Sequence, residues 1–284
     1  MEPGPVDGNR VGENAGTCRQ APLVGRIVRA ESRLTLAGAG TNHKALPAQV
    51  AELVDAQVSG TCGRKLVEVR VFSWAPLSKQ PVSIHLHRGD LPPDITFSGV
   101  VAIDTETMGL HPHRDRLCLV QLSGGDGVCH LVQFAPGQYQ APRLRALLAD
   151  ASLLKLFHFG RFDIAVLRHS LEVLATPVYC TKIASKLTRT FTDRHGLKDL
   201  CKDLLGIDLS KQQQSSDWGA AELTDEQLRY AASDVLHLHA LRTKLDLMLA
   251  REGRTAIAAA AFEFLPIRAL LDLAGWPEED IFAH

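Results

Sequence analysis

The chain has 284 residues, 45% apolar and 22% charged, with a formal net charge of −1. This is ordinary globular composition with material for a substantial core. The near-zero charge excludes a globally basic nucleic-acid binder but not a local basic patch. No apolar run approaches membrane-spanning length and the N-terminus lacks a signal-type apolar stretch, so the reading is a cytoplasmic protein without a membrane partner. The six cysteines show no CxxC or metal-type spacing. Several, such as Cys118 between Leu117 and Leu119, sit in apolar runs as buried reduced thiols do.

Residues 1–49 hold Gly, Pro, Asn and Arg without helical or strand periodicity and read as disordered. Residues 50–76 have a stranger property. Residues 50–56 can be encoded as GTG GCC GAG TTG GTT GAT GC, which resembles the D-arm of a transfer RNA gene. Residues 69–71 can be GTT CGA GTC, a T-loop, and residues 74–76 TGG GCA CCA, ending in the 3′ CCA. The expectation is that residues 1–81 are a disordered or non-native extension, a start codon placed too early over a transfer RNA gene, with Val82 a GTG start. The alternative is a small N-terminal domain, for which the alternating stretch VEVRVFSW would supply a strand.

From Ser83 the pattern becomes regular. Strands are expected at 84–87, 100–106, 116–123 and 128–134, with Gly124-Gly125-Asp126-Gly127 as a hairpin turn between the last two. A helix follows at 142–150, a buried strand at 153–157, and helices at 162–171, 181–190, 196–205, 224–250 and 253–272. Hairpin-linked strands followed by helix and strand in alternation imply an α/β domain with a mixed sheet over residues 82–284.

Three groups of acids stand out. Asp104 and Glu106 end the apolar run Val100-Val101-Ala102-Ile103. At i and i+2 of a strand they share one face, about 6.5–7 Å apart at Cα, and can converge on one ion or sit as surface acids. Asp163 lies in the first turn of the helix after His158-Phe159-Gly160, where an acid also simply favours the helix dipole. Tyr230 and Asp234 lie one turn apart on a helix opened by a capping box of Thr224 and Gln227. Each group alone has a structural explanation.

Taken in order, DxE, then an acid opening a helix, then Y-x3-D on a late helix, the chain resembles the tyrosine-bearing branch of the DEDD superfamily of 3′-5′ exonucleases. The wider pattern, with TETMGL at 105–110, HGLKDLCKDLLG at 195–206 and SDW at 216–218, looks like ribonuclease D. The histidine-bearing branch would need His where Arg229 stands. The resemblance implies a ribonuclease H-like exonuclease fold, a mixed central β-sheet flanked by α-helices with a helical C-terminus. It implies Asp104, Glu106, Asp163 and Asp234 as ligands of two divalent cations, and Tyr230 as the group orienting the attacking water. Four carboxylates without a Cys or His cluster suit Mg2+ or Mn2+ rather than Zn2+. Two such ions about 3.5–4 Å apart suit in-line displacement at phosphorus.

The implied partner is an RNA 3′ end, such as a transfer RNA precursor, trimmed to nucleoside 5′-monophosphates. Single-stranded DNA or short oligonucleotides are the alternative substrates, and a non-catalytic RNA-binding module on the same fold is a further one. Met108, Leu110 and Phe162 are core by residue type, yet Met108 and Leu110 follow the acids where family members stack or wedge the terminal base. His158 matches a family position beside the site, and a satisfied half-buried histidine fits it equally. Lys211 closes a charged stretch with Lys186, Arg189, Arg194, His195, Lys198 and Lys202 that reads either as a charge-balanced solvated pair of helices or as a phosphate-binding face. Trp218 reads as packing. Ribonuclease D carries two helical HRDC modules after the nuclease domain, and here about 50 residues follow Asp234. RNA grip is therefore expected from the nuclease domain itself or from oligomerisation.

Overall fold

The run Val100–Thr107 becomes strand β2 in the middle of a six-stranded sheet in the computed structural model, which describes residues 82–284 apart from 211 and 214. The expectations for residues 1–81 and for Lys211 lie outside the described residues. The other strands are β1 (Ser83–Arg88), β3 (Leu117–Ser123), β4 (Val128–Gln133), β5 (Leu154–Phe157) and β6 (Val178–Cys180). Their order is β1-β4-β3-β2-β5-β6. β2, β3 and β4 form an antiparallel meander, β1 joins β4 in parallel, and β5 and β6 continue in parallel beyond β2. The β3–β4 turn places Gly125 and Gly127 at φ 83° and 86°, left-handed backbone that glycine adopts without a Cβ clash. Every residue of β3 is buried, as are Val101, Ala102 and Ile103 of β2, so the strands carrying the site are held from both faces.

Helices cover the sheet: α1 (Pro142–Ala149), α2 (Gly160–Leu171), α3 (Thr181–Thr188), α4 (Leu197–Leu200), α5 (Asp225–Leu236), α6 (Leu238–Arg251) and α7 (Thr255–Leu273). α2 packs on β2, β3 and β5 and α5 across β2, β3 and β4, so both reach the middle of the sheet. α1 starts at Pro142, and its next two amides, of Arg143 and Leu144, donate to the Asp90 carboxylate at 2.9 Å each.

The expected elements form, several with ends shifted by one or two residues (α3 ends at Thr188 and α7 opens at Thr255), and four differences bear on the setting of the acids. The helix expected over 224–250 breaks at His237 (φ −103°, ψ −5°), where the chain leaves α5 and turns into α6 to pack on α3. The helix expected over 196–205 is one turn, α4, running into the π-helical turn Cys201–Leu205, which ends at Gly206 with φ 71°. α2 opens at Gly160, two residues earlier than expected. Strand β6 was not expected: three residues after Pro177 are too few for alternation to register, and only pairing with β5 makes them a strand.

The capping box forms as its sequence implies: Gln227 N donates to Thr224 Oγ1 at 3.2 Å and Thr224 N to Gln227 Oε1 at 2.9 Å. Replacing Thr224 by Ala should therefore lower unfolding free energy by about 1 kcal/mol, with Thr224→Ser near parent. Urea denaturation tests this, and an Ala variant as stable as the Ser variant would show that the cap contributes nothing.

Candidate active site

The alternation of β2 sends Asp104 and Glu106 to one face and Thr105 to the other. Asp234 arrives from α5, and oxygens of the Asp104, Glu106 and Asp234 carboxylates all lie within 4.8 Å of one another. Opposite Asp104 on β3 stands Gln121, fully buried, whose Nε2 lies 3.5 Å from Asp104 Oδ2 and whose Oε1 has no hydrogen-bond partner. Just beyond, the register jumps from Glu106↔Leu119 to Thr107↔Leu117. This bulge ends the ladder and releases the chain into the segment carrying Met108 and Leu110.

Asp163 is not one of the converging three. It sits in the first turn of α2, 4% exposed, and its Oδ1 accepts a 2.7 Å hydrogen bond from the Thr105 hydroxyl on the reverse of β2. The approach of α2 depends on a tight turn out of β5. Phe159 adopts left-handed backbone at φ 65°, and a Cβ on Gly160 would stand 2.7 Å from Cβ of Phe157. Only glycine permits that contact.

Burial raises all four acids, and repulsion from neighbouring carboxylates adds to it at Asp104, Glu106 and Asp234. Asp104 is pushed well above the carboxylate range by burial, then by Asp163, Asp234 and Glu106. Glu106 rises to about 9 through burial and the charges of Asp234 and Asp163. Asp163 and Asp234 rise to about 7, chiefly through burial; the Thr105 hydroxyl offsets part of this at Asp163, and the Asp163 charge adds to it at Asp234. No Lys or Arg pairs with any of the four among the described residues. An all-oxygen, uncompensated donor set of this kind fits a hard divalent cation.

Tyr230 is half-buried one turn before Asp234, with the Trp218 ring 6.0 Å away. Burial and the charges of Asp234, Glu106 and Asp104 push its hydroxyl above the ordinary phenol value. These groups line a cavity of about 690 Å³. Met108 and Leu110, core by residue type, are 51% and 80% exposed at its wall. Phe162 and His158 are half-buried in the same wall. His158 Nδ1 lies 2.8 Å from Thr181 Oγ1, and burial with the nearby Lys182 holds the imidazole down at about 3, hence neutral.

Five wall or supporting residues were not among the candidate site residues of the sequence: Thr105, Gln121, Phe159, Lys182 and Trp218, although Thr105 and Trp218 stand in TETMGL and SDW. The Lys182 ammonium rests 3.9 Å from the Phe159 ring centroid and forms no ion pair among the described residues. Much of the charge in the following helices pairs internally, as Arg189 with Asp203, Arg194 with Asp199 and Lys198 with Asp208, which matches the charge-balanced reading. Trp218 is 3% exposed and packs in the core, as read from the sequence, and it also borders the cavity. Because Gly160 fixes where α2 begins, Gly160→Ala should displace Asp163 and cost on the order of 100-fold in turnover. Turnover of folded variant, checked by circular dichroism, decides this; parent-like turnover would uncouple the turn from the site.

A family model described as 3′-5′ exonuclease matches residues 93–250. The chain is similar to ribonuclease D of Gluconacetobacter diazotrophicus, 37% identical over 154 residues, which is 54% of this chain and 39% of that one. It thus spans about two-fifths of the curated relatives it matches. Among solved structures it is similar to Brucella melitensis NrnC bound to pGG, with 58% identity, TM-score 0.70, and coverage of 72% of this chain and 99% of that one. The same nuclease has been solved with bound Mg2+, at 57% identity. Escherichia coli RNase D, described as an exoribonuclease involved in structured RNA processing, is 27% identical with TM-score 0.53, covering 61% of this chain and 45% of that one. Among the described residues no helix is long and apolar enough to cross a membrane.

Proposed function

The chain belongs to the 3′-5′ exonuclease family, and on that footing we propose that it removes nucleoside 5′-monophosphates from RNA 3′ ends, with short oligoribonucleotides as its main substrates. The observation that carries the chemistry is the convergence of Asp104, Glu106 and Asp234 beside Tyr230 in one cavity. The preference for short substrates is supported by coverage: the chain spans 99% of a nuclease bound to pGG but 39% of a ribonuclease D. A cavity of about 690 Å³ also lies within the ~300–1,000 Å³ typical of small-ligand sites. Trimming of longer RNA, such as transfer RNA precursors, is the second reading, favoured by the ribonuclease D relatives.

Asp104, Glu106 and Asp234, with Asp163 behind them, would hold two divalent cations, Mg2+ or Mn2+, whose charge favours in-line displacement at phosphorus. Tyr230 stays protonated, so its hydroxyl orients the attacking water by hydrogen bonding rather than acting as a base. The water oxygen bonds to the phosphorus of the terminal nucleotide as the bond to the 3′ oxygen of the preceding nucleotide breaks. The products are a nucleoside 5′-monophosphate and a chain with a new 3′-hydroxyl. Met108, Leu110 and Phe162 offer an apolar wall to the terminal base. His158, neutral and tied to Thr181, stays beside the site as a hydrogen-bonding group. Lys182 can meet a phosphate oxygen.

With Mg2+ present, Asp104→Asn should abolish monophosphate release, and Tyr230→Phe should lose most turnover while keeping metal affinity. Product analysis with an EDTA control checks both; an Asp104→Asn variant within a few-fold of parent would remove Asp104 from the chemistry. In a series from pGG to a structured transfer RNA precursor, kcat/KM should fall as the RNA lengthens. A rise with length would transfer the assignment to the second reading.

A further inference from the structure

Three imidazoles gather at the edge of the sheet, well apart from the carboxylates. β1 is the edge strand, separated from β2 by β4 and β3, and none of its histidines lines the cavity of the acids. His85 and His130 are cross-strand partners of β1 and β4, and His87 lies two residues along β1 on the same face. The His130 ring stacks with both, its centroid 5.3 Å from each. Phe97 packs edge-on against His130 at 5.9 Å. Asp94 and Asp126 are the carboxylates whose charge reaches His130, and Asp94 also reaches His87.

We propose that His85, His87 and His130 form a binding site for one borderline divalent transition cation, with Zn2+ as its reference ligand. Two histidines at i and i+2 of one strand and a third across from them present three nitrogens to one side of a sheet. In four-coordinate zinc with Zn–N of about 2.0–2.1 Å, tetrahedral geometry sets ligand nitrogens about 3.3 Å apart. His87 Nε2 and His130 Nδ1 hydrogen-bond at 3.0 Å, close to that spacing, while the three rings as placed do not bring one nitrogen each within 4.8 Å of one another. His85 completes the set by a side-chain rotation that exchanges its 2.9 Å contact with Ser83 Oγ for the ion. Water or Asp94 takes the fourth position. Partial burial and the neighbouring imidazoles lower the pKa of His87 and His130, which favours neutral rings, and binding moves the one proton they share in their hydrogen bond to the other nitrogen of its ring. Imidazole nitrogens select zinc-class ions where the carboxylates select hard ones, so the two sites sort different metals. An ion here also pins the edge strand β1 to β4.

The test is zinc titration of the full chain against a chromogenic chelator, with excess Mg2+ filling the carboxylate site. One equivalent of Zn2+ should be retained, and Co2+ in its place should show the visible bands of a four-coordinate site. His87→Gln and His130→Gln should each weaken retention by at least about tenfold, the lower end of what even an outer-shell loss costs. Asp104→Asn should leave it unchanged, and exonuclease turnover should be unchanged in both histidine variants. Zinc that is lost in Asp104→Asn, that is insensitive to both histidine substitutions, or that Mg2+ displaces completely would overturn the site. Because Asp104→Asn is also the variant that tests the exonuclease reading, failure of either proposal leaves a different signature.

Discussion

The repulsion among closely set carboxylates is the constraint around which this structure is organised. At a separation of 4.8 Å and an effective dielectric constant of about 20, two unit charges cost about 3.5 kcal/mol. Three such groups converge here, with a fourth close behind, and none has a Lys or Arg partner among the described residues. The pKa values of all four are raised first by burial, and repulsion adds to this at Asp104, Glu106 and Asp234. Such a cluster persists only if the scaffold holds the backbone firmly, and a divalent cation is the natural relief.

The scaffold meets that demand by placing β2 between β3 and β5 and closing helices over the sheet. Asp104 and Glu106 face α5, which brings Asp234. Thr105, turned the other way by the pleat, holds Asp163 from α2. One strand therefore organises acids from both sides. The capping box starts α5 at a defined residue, and the glycine contact at Gly160 does the same for α2. These two helix starts set where Asp234 and Asp163 arrive. The buried, half-satisfied Gln121 is a neutral amide placed beside Asp104.

The legible parts were those written in local pattern. β-branched and apolar runs marked the strands from β1 to β5, and Thr224 with Gln227 marked the start of α5. The ordered acids and Tyr230 marked the candidate site, where three of the acids converge. Illegible parts were those that need a neighbour. β6 is a strand only because β5 pairs with it. The break at His237 follows from α6 turning toward α3, and nothing in the local sequence forbids the helix from continuing. Met108 and Leu110 look like core and are exposed because the bulge after Glu106 throws their segment off the sheet. Thr105 stands in TETMGL, yet its tie to Asp163 shows only when α2 packs on β2.

By itself the sequence determined which chemistry is available: four oxygen acids and a tyrosine, in an order that resembles one nuclease branch, on a strand and two helices whose beginnings are encoded nearby. How they are arranged follows from the tertiary structure alone. It drew Asp104, Glu106 and Asp234 within 4.8 Å, set Asp163 behind Thr105, and gathered three histidines at the β1 edge of the sheet. The physical reason is that residue spacing fixes which face a side chain takes on its own element. Which faces then meet is settled by strand order and helix packing, and those depend on contacts between residues far apart in the chain.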